Sequence, residues 1–587
     1  MPDILEHLIF LYGLETATAV EPRLQALVQQ HRREPQQPRP QRRGPRTLPL
    51  SQRDAILITY GDQVRVEGEA PLATLAGFAE AHAADVVSGI HVLPFYPYSS
   101  DDGFSVIDYR VVDPALGDWQ DIRRLGTRFD LMFDAVFNHC SAESEWFRRF
   151  LAGDAACRDW FITVDGDPDL SQVVRPRALP LLTTFQTAAG PRRVWTTFSE
   201  DQVDLNLKSP EVLLALIDVL LFYVAQGARL IRLDAIAYLW KEIGTTCIHL
   251  PQTHRVIQLM RSVLDAVDPD VLLITETNVP HRDNVSYFGD GGNEAQLVYN
   301  FALPPLVLHA LATGNGEALT RWAGSLEVPS AGVTFFNFLA SHDGIGINPA
   351  RGILSQEEIA GLVERVEAHG GFVSYKSNPD GSQSPYELNI NYFDALSNPA
   401  AGEPPGIPVA RFMVAHAIQL AMAGVPGIYF HSLFGSRGDR RAAEETGIKR
   451  RVNREKLSLA DLEHDLADPS TRRSQVLGGF QRLMAARRSS AAFDPSGRQQ
   501  VLTIDPRVFA LLRVSPQGDA AAVCLHNLAA EPVRIDAGLD ASVRELTERQ
   551  GLLVGGRLRA DLGPYEVRWK LGGARPMEES LPARAAI

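Results

Sequence analysis

The chain is predicted to fold as an α/β protein built on a (β/α)8 TIM barrel. The barrel carries an inserted domain B, a second rim insertion after the seventh strand, and a C-terminal antiparallel β domain. Three observations lead there. Eight short apolar runs recur between residues 54 and 490 with helix-forming segments between them, the pattern of a parallel sheet buried on both faces. Two gaps between runs, 140–206 and 345–400, are too long for simple connections. Beyond residue 490 the rhythm changes to short alternating runs, which read as antiparallel strands.

The elements follow in order. Leu5, Leu8, Ile9 and Tyr12 recur at helical spacing, so residues 1–30 are expected to be helical. Residues 31–47, HRREPQQPRPQRRGPRT, hold six Arg and four Pro and read as a solvated linker or surface strap; a polyanion-binding patch is the sharper alternative. The eight strand runs are AILITYG (55–61), GIHVLPFYP (89–97), FDLMFDAVFNH (129–139), ARLIRLDA (228–235), VLLITETN (271–278), QLVYNFALP (296–304), GVTFFNFLASHD (332–343) and GVPGIYFHS (424–432). The barrel then spans 54–139 and 207–490, with 140–206 as the inserted domain. Residues 345–400 form a rim insertion placed to shape access to the barrel mouth. The runs VLTI, VFALLRV, AAVCLHNL and EVRWKL place a small β domain at 491–572, and the tail 573–587 is expected to fray.

Composition excludes several classes of function. Of 587 residues, 45% are hydrophobic and 22% charged, which rules out a disordered scaffold. The 57 Lys and Arg against 71 Asp and Glu leave a net charge of −14, which repels nucleic acid. Four cysteines, Cys140, Cys157, Cys247 and Cys524, stand without CxxC pairing, arguing against disulfide frameworks and structural zinc. No HxxxH, HExxH or EF-hand pattern occurs, so neither metal nor cofactor is expected. The N-terminus MPDILEHLIFLYG places Asp3 and Glu6 where an export signal wants basic residues. The uncharged stretch 412–436 is cut by Gly424, Pro426 and Gly427 and reads as helix, loop and buried strand. A cytoplasmic protein, monomer or homodimer, away from membranes is expected.

The chemistry lies where the runs end: in Asp134, Asn138 and His139, in Arg232 and Asp234, in Glu276 and Asn278, and in His342 and Asp343. C-terminal strand ends form the active site of such barrels. Taken singly, each residue would pass as a helix cap, a packed histidine or a structural ion pair; their common position makes them a set. Asp234, Glu276 and Asp343 should converge from strands four, five and seven. Two carboxyls about 5 Å apart suit double displacement at an anomeric carbon. Arg232 lies two residues before Asp234, on the same strand face, and is expected to keep Asp234 ionised. Glu276 lacks an adjacent cation in sequence, so burial should raise its pKa. The roles follow: Asp234 as nucleophile, Glu276 as acid/base, Asp343 as a clamp on sugar hydroxyls.

DAVFNH (134–139), RLIRLDA (229–235), ITETN (274–278) and FLASHD (338–343) resemble the four signature regions of the α-amylase superfamily, glycoside hydrolase family 13, and QVDLN (202–206) resembles its further signature. The resemblance covers roughly residues 54–570 and implies retention of configuration through a β-glucosyl-enzyme. SSDDGFSVIDY (99–109), RPRALP (175–180), the Trp195–Asn206 stretch and SHDGIG (341–346) are similar to the sucrose phosphorylase subfamily. Within it, ITETNVPH (274–281) and NPDGSQSPYE (378–387) look most like glucosylglycerate phosphorylases; sucrose enzymes usually carry an aromatic residue or His where Asn278 stands. The resemblance implies an α-glucoside donor, inorganic phosphate as acceptor and α-glucose 1-phosphate as product. It also implies site residues: Arg177 with Tyr386 on phosphate (Arg175 as a substitute), Asp101 with Arg454 on the far hydroxyls of glucose, and His139 and His342 as donors to ring hydroxyls. Phe104 or Phe198 would pack on the sugar, Gln202 would be a pocket donor or a strut, and Tyr238 would flank the site or pack beneath it. Asn278 and Glu387 would face the acceptor. Sucrose phosphorylase, glucosylglycerol phosphorylase and an α-glucosidase-type hydrolase are the alternatives. A non-catalytic amylase-like binding protein would have lost a carboxylate of the three.

Overall fold

The computed structural model describes residues 2–32, 48–177, 179–378, 382–552, 557–572 and 577–581. Eight parallel strands close a barrel: β1 (Ile56–Thr59), β2 (Gly89–Val92), β3 (Asp130–Ala135), β4 (Ala228–Leu233), β5 (Leu272–Thr275), β6 (Leu297–Tyr299), β7 (Thr334–Phe338) and β8 (Val425–Tyr429). Each lies within one of the eight predicted runs, and β8 pairs with β1 to close the ring. Leu57, Ile231, Ile274 and Phe336 are fully buried, as a sheet covered on both faces requires.

Register sets the functional level. Asp134 on β3 and Ile274 on β5 both pair with Arg232 on β4. Two residues further along, with side chains on the same face as Arg232, Asp234 and Glu276 come level at the barrel mouth.

The surrounding helices follow ordinary rules. Pro210–Ala225 starts with Pro at its first position behind Ser209, where a missing N–H costs nothing. Pro251–Val267 buries Val256, Ile257, Met260, Val263 and Leu264, one stripe at helical spacing. The predicted N-terminal helix is two helices, Pro2–Tyr12 and Leu14–His31, broken at Gly13 with φ 78°. They pack on the two barrel helices just named, and the Tyr12 hydroxyl donates to Leu207 O at 2.8 Å. Most of the Arg/Pro segment, residues 33–47, lies outside the described residues.

The long insertions are ordered elements. Between β3 and β4, His139–Ser141 pairs antiparallel with Gln202–Asp204, and Leu182–Thr187 forms a hairpin with Gly190–Trp195. After β7, Phe372–Ser377, Gln383–Asn389 and Ile345–Gly346 form a three-stranded sheet beside the helix Gln356–Ala368. Ser374 pairs with Glu387 and Tyr375 with Pro385, which leaves Tyr386 bulged between them. A bulge re-aims a side chain, here one at the substrate rim. The stretch 412–436 resolves into the helix Gly406–Ala421 followed by β8, as expected. Among the described residues no helix is long and apolar enough to cross a membrane.

Beyond residue 497 a five-stranded antiparallel sheet, a two-stranded hairpin and the unforeseen helix Ala541–Arg549 complete the chain. The tail expectation needs correction: Met577–Leu581 is an edge strand paired to Val567–Leu571. The sheet offers it a row of backbone partners, and Leu581 is buried.

Candidate active site

The mouth of the barrel is organised around Arg232. Its Nη1 donates to Asp134 Oδ1 and, at 2.8 Å, to Asp234 Oδ1. Its Nη2 lies 3.9 Å from Glu276 Oε2. The same glutamate oxygen accepts the Ala235 amide at 3.0 Å. Ala235, directly after Asp234, has φ 47°, a left-handed conformation that costs a non-glycine residue stability and clusters at functional sites. The two carboxyls therefore flank one guanidinium from the ends of adjacent strands.

Burial raises both pKa values. Asp234 is pushed up to about 8, first by burial and then by Glu276, Asp134 and Asp343, against the pull of Arg232. Glu276 is likewise raised by burial and by Asp343. The guanidinium is shared with the deeper Asp134, so Arg232 lowers Asp234 without cancelling the rise from burial. The pair therefore carries a proton at neutral pH, as one titrating unit. Arg232 touches Asp234 more closely than Glu276, which favours the state with the proton on Glu276.

Asp343 completes the triad. Arg450 Nη1 is 2.7 Å from its Oδ1, Arg454 Nη2 3.5 Å away, and His342 Nε2 is 3.4 Å from Oδ2. Burial would raise Asp343, but Arg450, His342 and Arg454 outweigh it and hold the carboxyl well below the usual range. Burial lowers His342 to about 3, so its imidazole is neutral.

The remaining predicted residues surround this centre. Phe104 stacks on His342 with centroids 4.7 Å apart, beneath the Arg232 guanidinium. His139 Nε2 is 2.9 Å from Phe104 O, and the Gln202 amide donates to the same carbonyl at 3.2 Å. Both thus fix the Phe104 loop, and Gln202 acts here as a strut. Phe198 packs between His139 and Tyr238, with Arg177 over its ring. Arg177 reaches Asp101 at 2.9 Å, whereas Arg175 bonds Leu179 O in its own loop. Arg454 is closer to Asp102, at 2.6 Å, than to the expected Asp101, at 3.7 Å. Burial raises Tyr386, which also feels the charges of Tyr238, Glu387 and Glu276. Glu387 accepts from Arg450 at 3.0 and 3.1 Å and from the Gly344 amide at 3.1 Å; its carboxylate is spent on aiming Arg450. Asn278 lies against Gly346, where any Cβ would meet its Oδ1 at 2.6 Å.

Sequence reasoning missed four participants. Arg450 could have been found from its place in KRRVNR, four residues before Arg454. Asp102 stood beside Asp101. Lys241 has no sequence signal: its ammonium, buried, bridges Asp204 Oδ2 at 2.5 Å and Asn138 Oδ1 at 2.6 Å, tying the inserted segment to the barrel. His91 appears only as a polar residue inside an apolar strand run.

Residues 86–324 match the model of the alpha amylase catalytic domain. Over 89% of this chain and 88% of its own, a glucosylglycerate phosphorylase from Spirochaeta thermophila is 53% identical. The chain belongs to the alpha-amylase family. A second glucosylglycerate phosphorylase, from Allomeiothermus silvanus, is 50% identical over 97% of this chain and 98% of its own. A sucrose phosphorylase from Agrobacterium vitis is 30% identical over 72% and 86%. Within the family, therefore, this chain is a glycoside phosphorylase enzyme. The crystal structure of sucrose 6F-phosphate phosphorylase from Thermoanaerobacter thermosaccharolyticum superposes with TM-score 0.73 at 24% identity, covering 90% of this chain and 98% of that one, and shares the fold.

Proposed function

We propose that the enzyme transfers the α-glucosyl unit of glucosylglycerate to inorganic phosphate, releasing glycerate and α-glucose 1-phosphate. The observation that carries the mechanism is the pair Asp234 and Glu276, level across one guanidinium. The donor is supported by relatives of that name at 50–53% identity over nearly the whole chain. In the first step an Asp234 oxygen bonds to the anomeric carbon as Glu276 gives its proton to the departing glycerate oxygen. In the second, a phosphate oxygen attacks the same carbon, its proton passes to Glu276, and the Asp234 carboxylate leaves. Two inversions retain the α-configuration. Asp343, held ionised by Arg450 and Arg454, would clamp sugar hydroxyls.

Water outnumbers phosphate, so the acceptor site must hold the anion. Arg177 offers a guanidinium that is only partly covered, suited to phosphate, with Tyr386 as its partner. Asn278, with Oδ1 buried and without a hydrogen-bond partner among the described residues, is a position for an aglycone hydroxyl. The deciding experiment offers α-glucose 1-phosphate with D-glycerate, fructose, glycerol or water and follows phosphate release. Glycerate should exceed the others by about tenfold or more, about 1.4 kcal/mol of transition-state preference. A fructose preference would replace the proposed donor by sucrose, and release in water alone would make the enzyme a hydrolase.

A further inference from the structure

The polar chain behind Asp234 begins on a residue buried away from solvent. His91 Nε2, on β2, is 2.6 Å from Asp134 Oδ2 on β3. The other oxygen of Asp134 takes Nη1 of Arg232 on β4, and that nitrogen also reaches Asp234 at 2.8 Å. Three consecutive strands thus contribute one side chain each, with His91 and Asp134 fully buried.

We propose that His91 is a positioning residue for the nucleophile: by occupying one oxygen of Asp134, it fixes how much of the Arg232 guanidinium is left to Asp234. His91 and Arg232 compete for the oxygens of Asp134. A carboxylate with two free oxygens takes a guanidinium as a two-pronged fork. His91 removes one oxygen from that contest, so Asp134 holds Arg232 by a single contact and leaves the rest for Asp234 and Glu276. The other ionisable groups around Asp134 are Tyr96, Tyr223, Tyr299 and His342. Burial raises the three phenols and lowers the imidazole, so all four are neutral. Beside the carboxyl pair itself, Arg232 is therefore the charged partner of Asp134, and His91 is the contact on its other oxygen.

This inference rests on Asp234 being the nucleophile, so Asp234→Asn is assayed alongside; an active Asp234→Asn enzyme removes that premise rather than the positioning role. The readout is the pH profile of kcat/KM for α-glucose 1-phosphate, whose two limbs report the protonation of the Asp234–Glu276 pair. His91→Phe keeps a ring but loses the donor. Asp134 then draws Arg232 inward, and both limbs move to higher pH by about one unit, the lower end of what a neighbouring charge does. His91→Gln, which restores an N–H at similar reach, returns the limbs toward the wild-type positions. Asp134→Asn releases Arg232 to the pair and moves both limbs to lower pH. Should folded His91→Phe lose rate with unmoved limbs, His91 merely packs and the idea is wrong. If His91→Phe does not fold, Asp134→Asn decides alone: limbs that stay or rise overturn it.

Discussion

Two buried carboxyls on one guanidinium cannot both be ionised cheaply, and this fixes how Asp234 and Glu276 respond to pH. Asp234 is raised to about 8 and titrates with Glu276 as one unit, so the pair's proton, carried by Glu276 in the active state, should leave near that pH and set the alkaline limb, measurable in initial rates between about pH 6 and pH 9. The sign for stability follows from the same shift. The folded state keeps a proton that the unfolded chain releases above its ordinary value of 3.8, so this contribution is present at low pH and is lost as pH rises through the folded value. Asp234→Asn should therefore gain thermal stability over wild type by a margin that grows from about pH 5 to pH 8; a constant margin would refute the shift. Glu276→Gln cannot give a proton to the aglycone and should lower turnover about a hundredfold to ten-thousandfold, less for donors with acidic leaving groups. Arg177→Ala should raise the KM for phosphate about tenfold or more with kcat less affected; an unchanged KM would remove Arg177 from the phosphate site.

At the scale of elements, insertions attached to rigid strand ends surround the barrel mouth. The segment after β3 is pinned by Lys241, whose buried ammonium lies between Asp204 and Asn138. Burial lowers its pKa against the pull of Asp204. Lys241→Met leaves Asp204 buried without its cation and should cost about 3–5 kcal/mol, read as a drop in denaturant midpoint. The insertion after β7 presents Tyr386 through a bulge and Asn278 through a missing side chain opposite. Gly346→Ala places a methyl 2.6 Å from Asn278 Oδ1. Its expected outcome is weaker use of the aglycone, with hydrolysis of α-glucose 1-phosphate less affected, checked by comparing KM for the acceptor with the rate in water.

Across the whole molecule, the buried Arg513 joins the C-terminal sheet to the barrel, and Arg487 braces the barrel from within. Arg513 donates to Ala421 O at 2.9 Å and Asp494 O at 2.8 Å, and Arg487 to Gly424 O at 3.0 Å. These bonds hold the turn leading into β8, and with it the closure of the barrel. Arg513→Ala should cost about 3 kcal/mol, since each carbonyl left unpaired loses a charge-assisted bond. Barrel and sheet signals should still unfold in one transition, which matched fluorescence and circular dichroism melts would check.

Strand positions, the two long insertions and the carboxylate triad were legible because each is a local pattern: a buried parallel strand must be continuously apolar, and an ionisable residue at its end has a place only at the barrel rim. Partnership is different. Whether Arg232 serves Asp234 or Asp134, whether Glu387 faces substrate or Arg450, and whether Lys241 is buried are settled by groups tens to hundreds of residues apart in the chain. Electrostatic energy depends on separation in space and on burial, and neither is written in the order of the residues.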